Sequence, residues 1–218
     1  MRKQLSDRQT VLLFLLYCAG YLLVHQAVLM PFARKTLPAA ADTVSIIGMI
    51  VILCVSILII LPNVYEEMED FRRRCRFILM TSMRNLTGML IGWLAAARLI
   101  GADTAVNPAG SGVNASLVFG AVIFAPIMEE IIFRGCLFER IRRKTGNIIS
   151  AVISSCIFAL LHIMFMIPAS QNIMILFFLI YTLMGIFLCR CAFRSRNLIS
   201  SCIVHAAYNL LMTVLMTL

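Results

Sequence analysis

Residues 115–138 read ASLVFGAVIFAPIMEEIIFRGCLF, and the only charged side chains among them are Glu129, Glu130 and Arg134. A stretch of this length and apolarity crosses the ~30 Å hydrocarbon core of a bilayer, which takes about 20 helical residues. It must do so as one continuous helix, because lipid offers no water to satisfy a broken backbone. One charge near the centre of such a helix costs roughly 2.5–3.5 kcal/mol, so two adjacent carboxylates inside it mark a functional site.

The rest of the chain agrees with a membrane setting. Of its 218 residues 61% are hydrophobic and only 13% charged, and the mean hydropathy is +0.96, a balance that no water-soluble domain can hide in its core. Seven apolar segments can be drawn, at about 11–32, 44–62, 77–100, 115–138, 148–167, 171–191 and 197–218. The first is longer than the apolar region of a signal peptide and no small-x-small cleavage site closes it, so it reads as a retained helix. The expected fold is all-α: a polytopic transmembrane helix bundle of about seven to eight spans.

The basic residues alternate from loop to loop. Arg2, Lys3 and Arg8 precede the first span; Arg72, Arg73, Arg74 and Arg76 follow the second; Arg140, Arg142, Arg143 and Lys144 follow the fourth; Arg190, Arg194 and Arg196 follow the sixth. The opposite side carries only Arg34 and Lys35, while Arg84, Arg98 and Arg134 fall within or at the ends of spans. The positive-inside rule then puts the N-terminus in the cytosol and the C-terminus outside. The formal net charge of +9 is thus accounted for by topology and implies no nucleic-acid partner. The protein reads as integral and multi-pass, in the plasma membrane if bacterial.

No repeat or low-complexity tract interrupts the chain, and it reads as one membrane domain, with N-terminal spans and loops over 1–114 and a core over 115–218. The loop 101–114, rich in Gly, Ala, Asn and Pro, separates them. The run Glu66, Glu67, Glu69, Asp70, Arg72, Arg73, Arg74 reads first as a solvated loop; the alternative is an interfacial helix turn with its arginines near anionic head groups. Arg84 is expected to snorkel toward head groups. His25 is expected to make a structural interhelical hydrogen bond, and the eight cysteines, which form no CxxC pair, read as small apolar side chains.

Helical spacing assigns partners around the carboxylates. Glu130 and Arg134 are i, i+4 in the favourable acid-before-base order and can neutralise each other. Glu129 is ~100° away around the helix and lacks such a base, which leaves it available as a general base. The fifth span carries Phe158 and His162 at i, i+4, and the seventh carries His205 and Asn209 at the same spacing. At 1.5 Å per residue Glu129 lies roughly 16 Å from the cytosolic end of its span, His162 roughly 22 Å, and His205 and Asn209 roughly 12 and 18 Å, so all four share one layer near the membrane middle.

These residue types support hydrolysis. A carboxylate and an imidazole can orient and deprotonate a water while a second imidazole and a carboxamide donate hydrogen bonds to the oxyanion of a tetrahedral intermediate. The same set, with Glu129, His162 and His205 as candidate ligands, can instead hold a divalent metal such as zinc, though no HExxH helix supports that alternative. A serine or cysteine nucleophile at Ser154, Ser155 or Cys156 is disfavoured, since none has a histidine at helical contact spacing.

The series Glu-Glu-x-x-x-Arg, Phe-x-x-x-His and His-x-x-x-Asn over successive membrane helices resembles the CPBP family, which includes the type II CAAX prenyl endopeptidases and the Abi-type, bacteriocin-processing proteases. The similarity covers about 115–210. It implies that Glu129 activates the hydrolytic water with His162, that His205 and Asn209 bind the oxyanion, that Glu130 with Arg134 braces the site, and that Phe133 and Phe158 pack it. The family is often labelled metalloprotease, yet its motif can work through a glutamate-activated water, so the resemblance leaves a metal cofactor open. The family core is usually described with eight helices, one more than the seven spans drawn above. The implied partners are a peptide or lipidated protein substrate and membrane lipid. Two other classes compete with an intramembrane endopeptidase: a bacteriocin-immunity or peptide-capture protein that does not cut, and a transporter using the carboxylates as a proton relay, disfavoured by the lack of inverted repeats or broken helices.

Overall fold

The computed structural model describes residues 5–100, 114–164 and 171–215, and every regular element among them is helical. Among the described residues six helices are long and apolar enough to cross a membrane: α1 (Asp7–Thr36), α2 (Pro38–Ile59), α4 (Ala115–Thr145), α5 (Asn147–Met164), α6 (Gln171–Ser195) and α7 (Leu198–Leu215). The third expected span, 77–100, is the second part of α3 (Leu61–Ile100), a 40-residue helix bent at Arg74 (φ −124°, ψ 23°). Its apolar run is diluted by Arg84 and Asn85. Of the expected loops, 101–113 and 168–170 lie outside the described residues, as do the span ends at 165–167 and 216–218.

The distribution of side chains is that of a protein dissolved in lipid. Large apolar residues point outward, Leu23 at 60% exposed and Leu58 at 67%, while Ser154, Ser155, Ser200, Ser201, Glu130 and Arg134 are essentially inaccessible. With lipid as apolar as any core, such helices gain little from burying leucine and associate through close packing and polar contacts between them. Gly185 of α6 shows the closeness required: a Cβ there would lie 2.7 Å from the Ser155 Cβ and 3.0 Å from its Cα on α5. Ser82 of α3 and Ser200 of α7 join their hydroxyls at 2.9 Å, and Cys191 of α6 adds its sulfur to Ser200 at 3.0 Å.

Helix α4 is the hub, packed against α1, α2, α5, α6 and α7. It is continuous, as lipid demands, but not regular: it winds wide, with π-type hydrogen bonding, over Gly120–Phe124 and again over Glu130–Phe138. The first wide turn accommodates Pro126, which has no N–H to donate.

Polar contacts tie one end of the bundle together. Arg140 of α4 reaches Asp7 at 2.5 Å and Thr10 at 3.0 Å on α1. Gln9 of α1 donates to the terminal Ile59 carbonyl of α2 at 2.9 Å. The α6–α7 turn, with Arg196 in the left-handed region (φ 54°), docks on α3, where Asn197 donates to the Glu67 carbonyl at 2.9 Å and Glu67 accepts from the Leu198 N–H at 2.6 Å. These contacts gather the start of α1, which carries Arg8, and the basic second, fourth and sixth loops at one end of the bundle.

The run at 66–74 is not a solvated loop but part of α3. Its i, i+4 pairs, Glu69 with Arg73 and Asp70 with Arg74, support the helix. The hydrogen bonds from Arg74 hold the Asp70 carboxyl below the usual carboxylate range. The composition alone could not decide this, because a solvated loop and an amphipathic helix share it; docking of Asn197 and Leu198 on Glu67 and Asp70 does. His25 makes an interhelical contact, its Nε2 3.1 Å from the Ser45 carbonyl of α2.

Candidate functional site

Five of the six residues singled out in the sequence converge where α4, α5 and α7 meet. Arg134 Nη1 donates to Glu130 Oε1 at 2.8 Å, and both side chains are fully buried. The guanidinium is held further by the Gly185 carbonyl at 3.4 Å and lies 4.5 Å from the centre of the Phe158 ring. The Gly185 carbonyl can reach it because α6, lacking a side chain at that position, lies tight against α5.

His205 stands between the two carboxylates. Its Nδ1 lies 3.0 Å from Glu130 Oε1, and its Nε2 faces Glu129 Oε2 at 3.9 Å. Since Glu130 is ion-paired with Arg134 and can only accept, Nδ1 carries the proton. His162 Nδ1 lies 2.9 Å from the Phe158 carbonyl, so it too donates, and in the neutral ring Nε2 is left as an acceptor. That Nε2 points at Glu129 Oε2, 3.7 Å away. Glu129 Oε2 itself takes no direct hydrogen bond, and both imidazole separations are beyond hydrogen-bond length. Glu129, only 7% exposed, thus presents one carboxylate oxygen to two imidazole nitrogens, at a spacing that a water can bridge.

Phe133 and Phe158 build the floor, meeting edge to face with centroids 5.2 Å apart. Phe158 also packs on His162 at 4.3 Å and on His205 at 5.9 Å. Ser154 of α5 donates to the Phe133 carbonyl at 3.1 Å, locking α5 to the wide turn that carries the motif.

Asn209, the sixth residue, sits one turn beyond His205 and donates from Nδ2 to the Ala121 carbonyl at 2.7 Å. The cause lies in α4. In its wide turn the Ala125 N–H bonds to the Gly120 carbonyl, five residues back; the matching partner of Ala121 would be residue 126, which is proline. Asn209 satisfies the carbonyl that Pro126 leaves open. One amide hydrogen is therefore committed to structure and one remains.

Two residues near the centre were not singled out from sequence. Tyr17 of α1 donates its hydroxyl to Glu129 Oε1 at 3.3 Å, and Tyr181 of α6 packs on the His162 ring at 4.5 Å. A signal for Tyr17 existed: Tyr17, Tyr21 and His25 recur every four residues, a polar stripe on one face of an otherwise apolar helix.

Among the described residues no group of three His, Cys, Asp or Glu side chains is arranged to hold a metal ion. Glu129, His162 and His205, the candidate zinc ligands, do not form such a group. A cavity of about 590 Å³ lies toward the basic end of the bundle, lined by apolar residues including Ile127, Ile131, Leu198 and Ile199, with Arg142 and Arg196 also on its wall. It borders α4 beside the carboxylates but is not lined by Glu129, His162, His205 or Asn209.

Fold and site together define a class: an integral, polytopic helical membrane protein with a buried carboxylate–imidazole cluster. Residues 111–211 match the family model described as Rce1-like, type II CAAX prenyl endopeptidase. This segment, which contains all six expected site residues, is similar to that endopeptidase family, in line with the resemblance to the CPBP family. No curated protein and no solved structure matches the chain.

Proposed function

We propose that the protein is an intramembrane endopeptidase in which Glu129 and His162 activate a water for attack on a peptide bond. The observation that carries the reading is the pair of acceptors facing each other across 3.7 Å, Glu129 Oε2 and His162 Nε2. A water between them donates one hydrogen to each and turns a lone pair toward the scissile carbonyl. As its oxygen bonds to the carbonyl carbon, the proton passes to Glu129 and the carbonyl π electrons move onto oxygen. In its imidazolium form His205 donates from Nε2 to that oxyanion, its other N–H anchored on Glu130, and the free amide hydrogen of Asn209 is the second donor. Collapse of the intermediate breaks the C–N bond as the proton on Glu129 is delivered to the leaving nitrogen, giving a carboxylic acid and an amine.

The substrate we infer is a peptide or protein carrying a lipid near its C-terminus, entering from the cytosolic end. The apolar cavity beside α4, whose few charged wall residues are Glu67, Glu139, Arg142 and Arg196, supports a lipid-bearing substrate over a purely polar one. The test is cleavage of quenched-fluorescent peptides, prenylated and unprenylated, by purified protein, comparing wild type with Glu129→Gln and His162→Ala, each with and without a chelator. Turnover by wild type that both substitutions abolish is expected. Binding of the same peptides without cleavage by any form would replace the enzyme with a capture protein.

A further inference from the structure

We infer that Tyr17, on the N-terminal helix outside the family-matched segment, is a positioning residue that holds Glu129 for its reaction; the inference rests on the endopeptidase reading. The two helices are pinned by the contacts of Arg140 with Asp7 and Thr10. Tyr17 is ten residues along α1 from Asp7, and Glu129 is eleven back along α4 from Arg140. At about 1.5 Å per residue both lie about 15–17 Å from that clamp, at one depth. The phenol is 4% exposed, and its hydroxyl donates to Glu129 Oε1.

The carboxylate has two oxygens with separate duties. Oε1 is tethered by Tyr17, and Oε2 faces the two imidazoles. Without the tether the carboxylate is free to rotate about its Cγ–Cδ bond and to swing off the line to His162, and misplacement of a reacting group by an ångström is enough to slow a reaction by orders of magnitude. The tyrosine is itself braced. Tyr21 stacks on it at 5.8 Å and His25 on Tyr21 at 5.4 Å, and His25 is fixed to α2 through Ser45. Gly48 of α2 admits the imidazole, since a Cβ there would meet His25 Cδ2 at 2.5 Å. The first two helices thus complete a site whose reacting groups all lie in the second half of the chain.

The decisive experiment compares kcat and KM for wild type, Tyr17→Phe, Tyr21→Phe and Glu129→Gln on one cleaved peptide, with thermal unfolding of each. Tyr17→Phe keeps the ring and removes only the tether, so kcat is expected to fall about 10- to 100-fold, the range for a hydrogen bond to a charged group, with KM unchanged and the unfolding temperature lowered by no more than a few degrees. Tyr21→Phe, whose hydroxyl accepts from Gln26 and not from the site, is expected to turn over as wild type. Wild-type kcat in Tyr17→Phe overturns the inference while leaving the endopeptidase reading intact. A fall in kcat that disappears once activity is corrected for the folded fraction at the assay temperature assigns Tyr17 to packing and overturns it as well. Undiminished cleavage by Glu129→Gln, or none by wild type, overturns both.

Discussion

His205 Nδ1 and Glu130 Oε1 lie 3.0 Å apart, on the same carboxylate oxygen that Arg134 holds at 2.8 Å. Glu130 is therefore not merely the anionic half of a helical ion pair. It holds a proton on His205 Nδ1 and turns Nε2 toward Glu129, and it links α4 to α7 through the centre of the bundle.

Removing one member of this buried pair strands the other. Arg134→Met is expected to destabilise the protein by about 3–5 kcal/mol, because Glu130 then keeps an uncompensated charge. Pairing it with Glu130→Leu should recover most of the lost stability but no activity. Thermal unfolding in detergent, scored beside turnover, checks both halves.

Glu129 is a different case, since its Oε2 takes no direct bond. Glu129→Gln is expected to unfold within a degree or two of wild type while turnover drops by about 10²–10⁴-fold, the usual contribution of a positioned general base. A large fall in unfolding temperature instead would mean that the carboxylate is mainly structural.

Asn209 and Pro126 should be coupled. Asn209→Ala leaves the Ala121 carbonyl unsatisfied at a cost of about 1–3 kcal/mol. Pro126→Ala restores a backbone N–H able to pair with it, so the cost of Asn209→Ala is expected to shrink in the Pro126→Ala background. Additive unfolding energies in the double-mutant cycle would show that the two positions are independent.

Gly185→Ala tests the closeness of α5 and α6. The added methyl would stand 2.7 Å from the Ser155 Cβ and 3.0 Å from its Cα, so backbone must move, and the Gly185 carbonyl moves off Arg134. A loss of about 1–3 kcal/mol, typical of overpacking, is expected together with reduced turnover. Ser155→Gly, which clears the contact from the other side, is expected to restore part of both.

Much of the site was legible in the chain because membrane helices make polar residues conspicuous. Glu129, Glu130, Arg134, His162 and His205 stand out against apolar neighbours, and helical spacing paired Glu130 with Arg134 before any fold was known. The same rule failed at 66–74, where a water-facing segment carries no cost that would reveal its conformation, and docking of the α6–α7 turn decided for helix. Tyr17 went unremarked because a tyrosine in a membrane span is ordinary; only its meeting with Glu129, more than a hundred residues away, gives it meaning.

The linear sequence by itself determined the membrane setting, the all-helical class, the ion pair within α4 and the residue types of the site, since these follow from hydropathy, periodicity and the cost of charge in lipid. The tertiary structure alone decided which carboxylate oxygen meets which imidazole nitrogen, that Asn209 answers the carbonyl opened by Pro126, and that α1 reaches into the centre. Those relations depend on helix rotation and on the width of individual turns in α4, where a few degrees or one displaced hydrogen bond redirects a side chain, and no local pattern of residues encodes them.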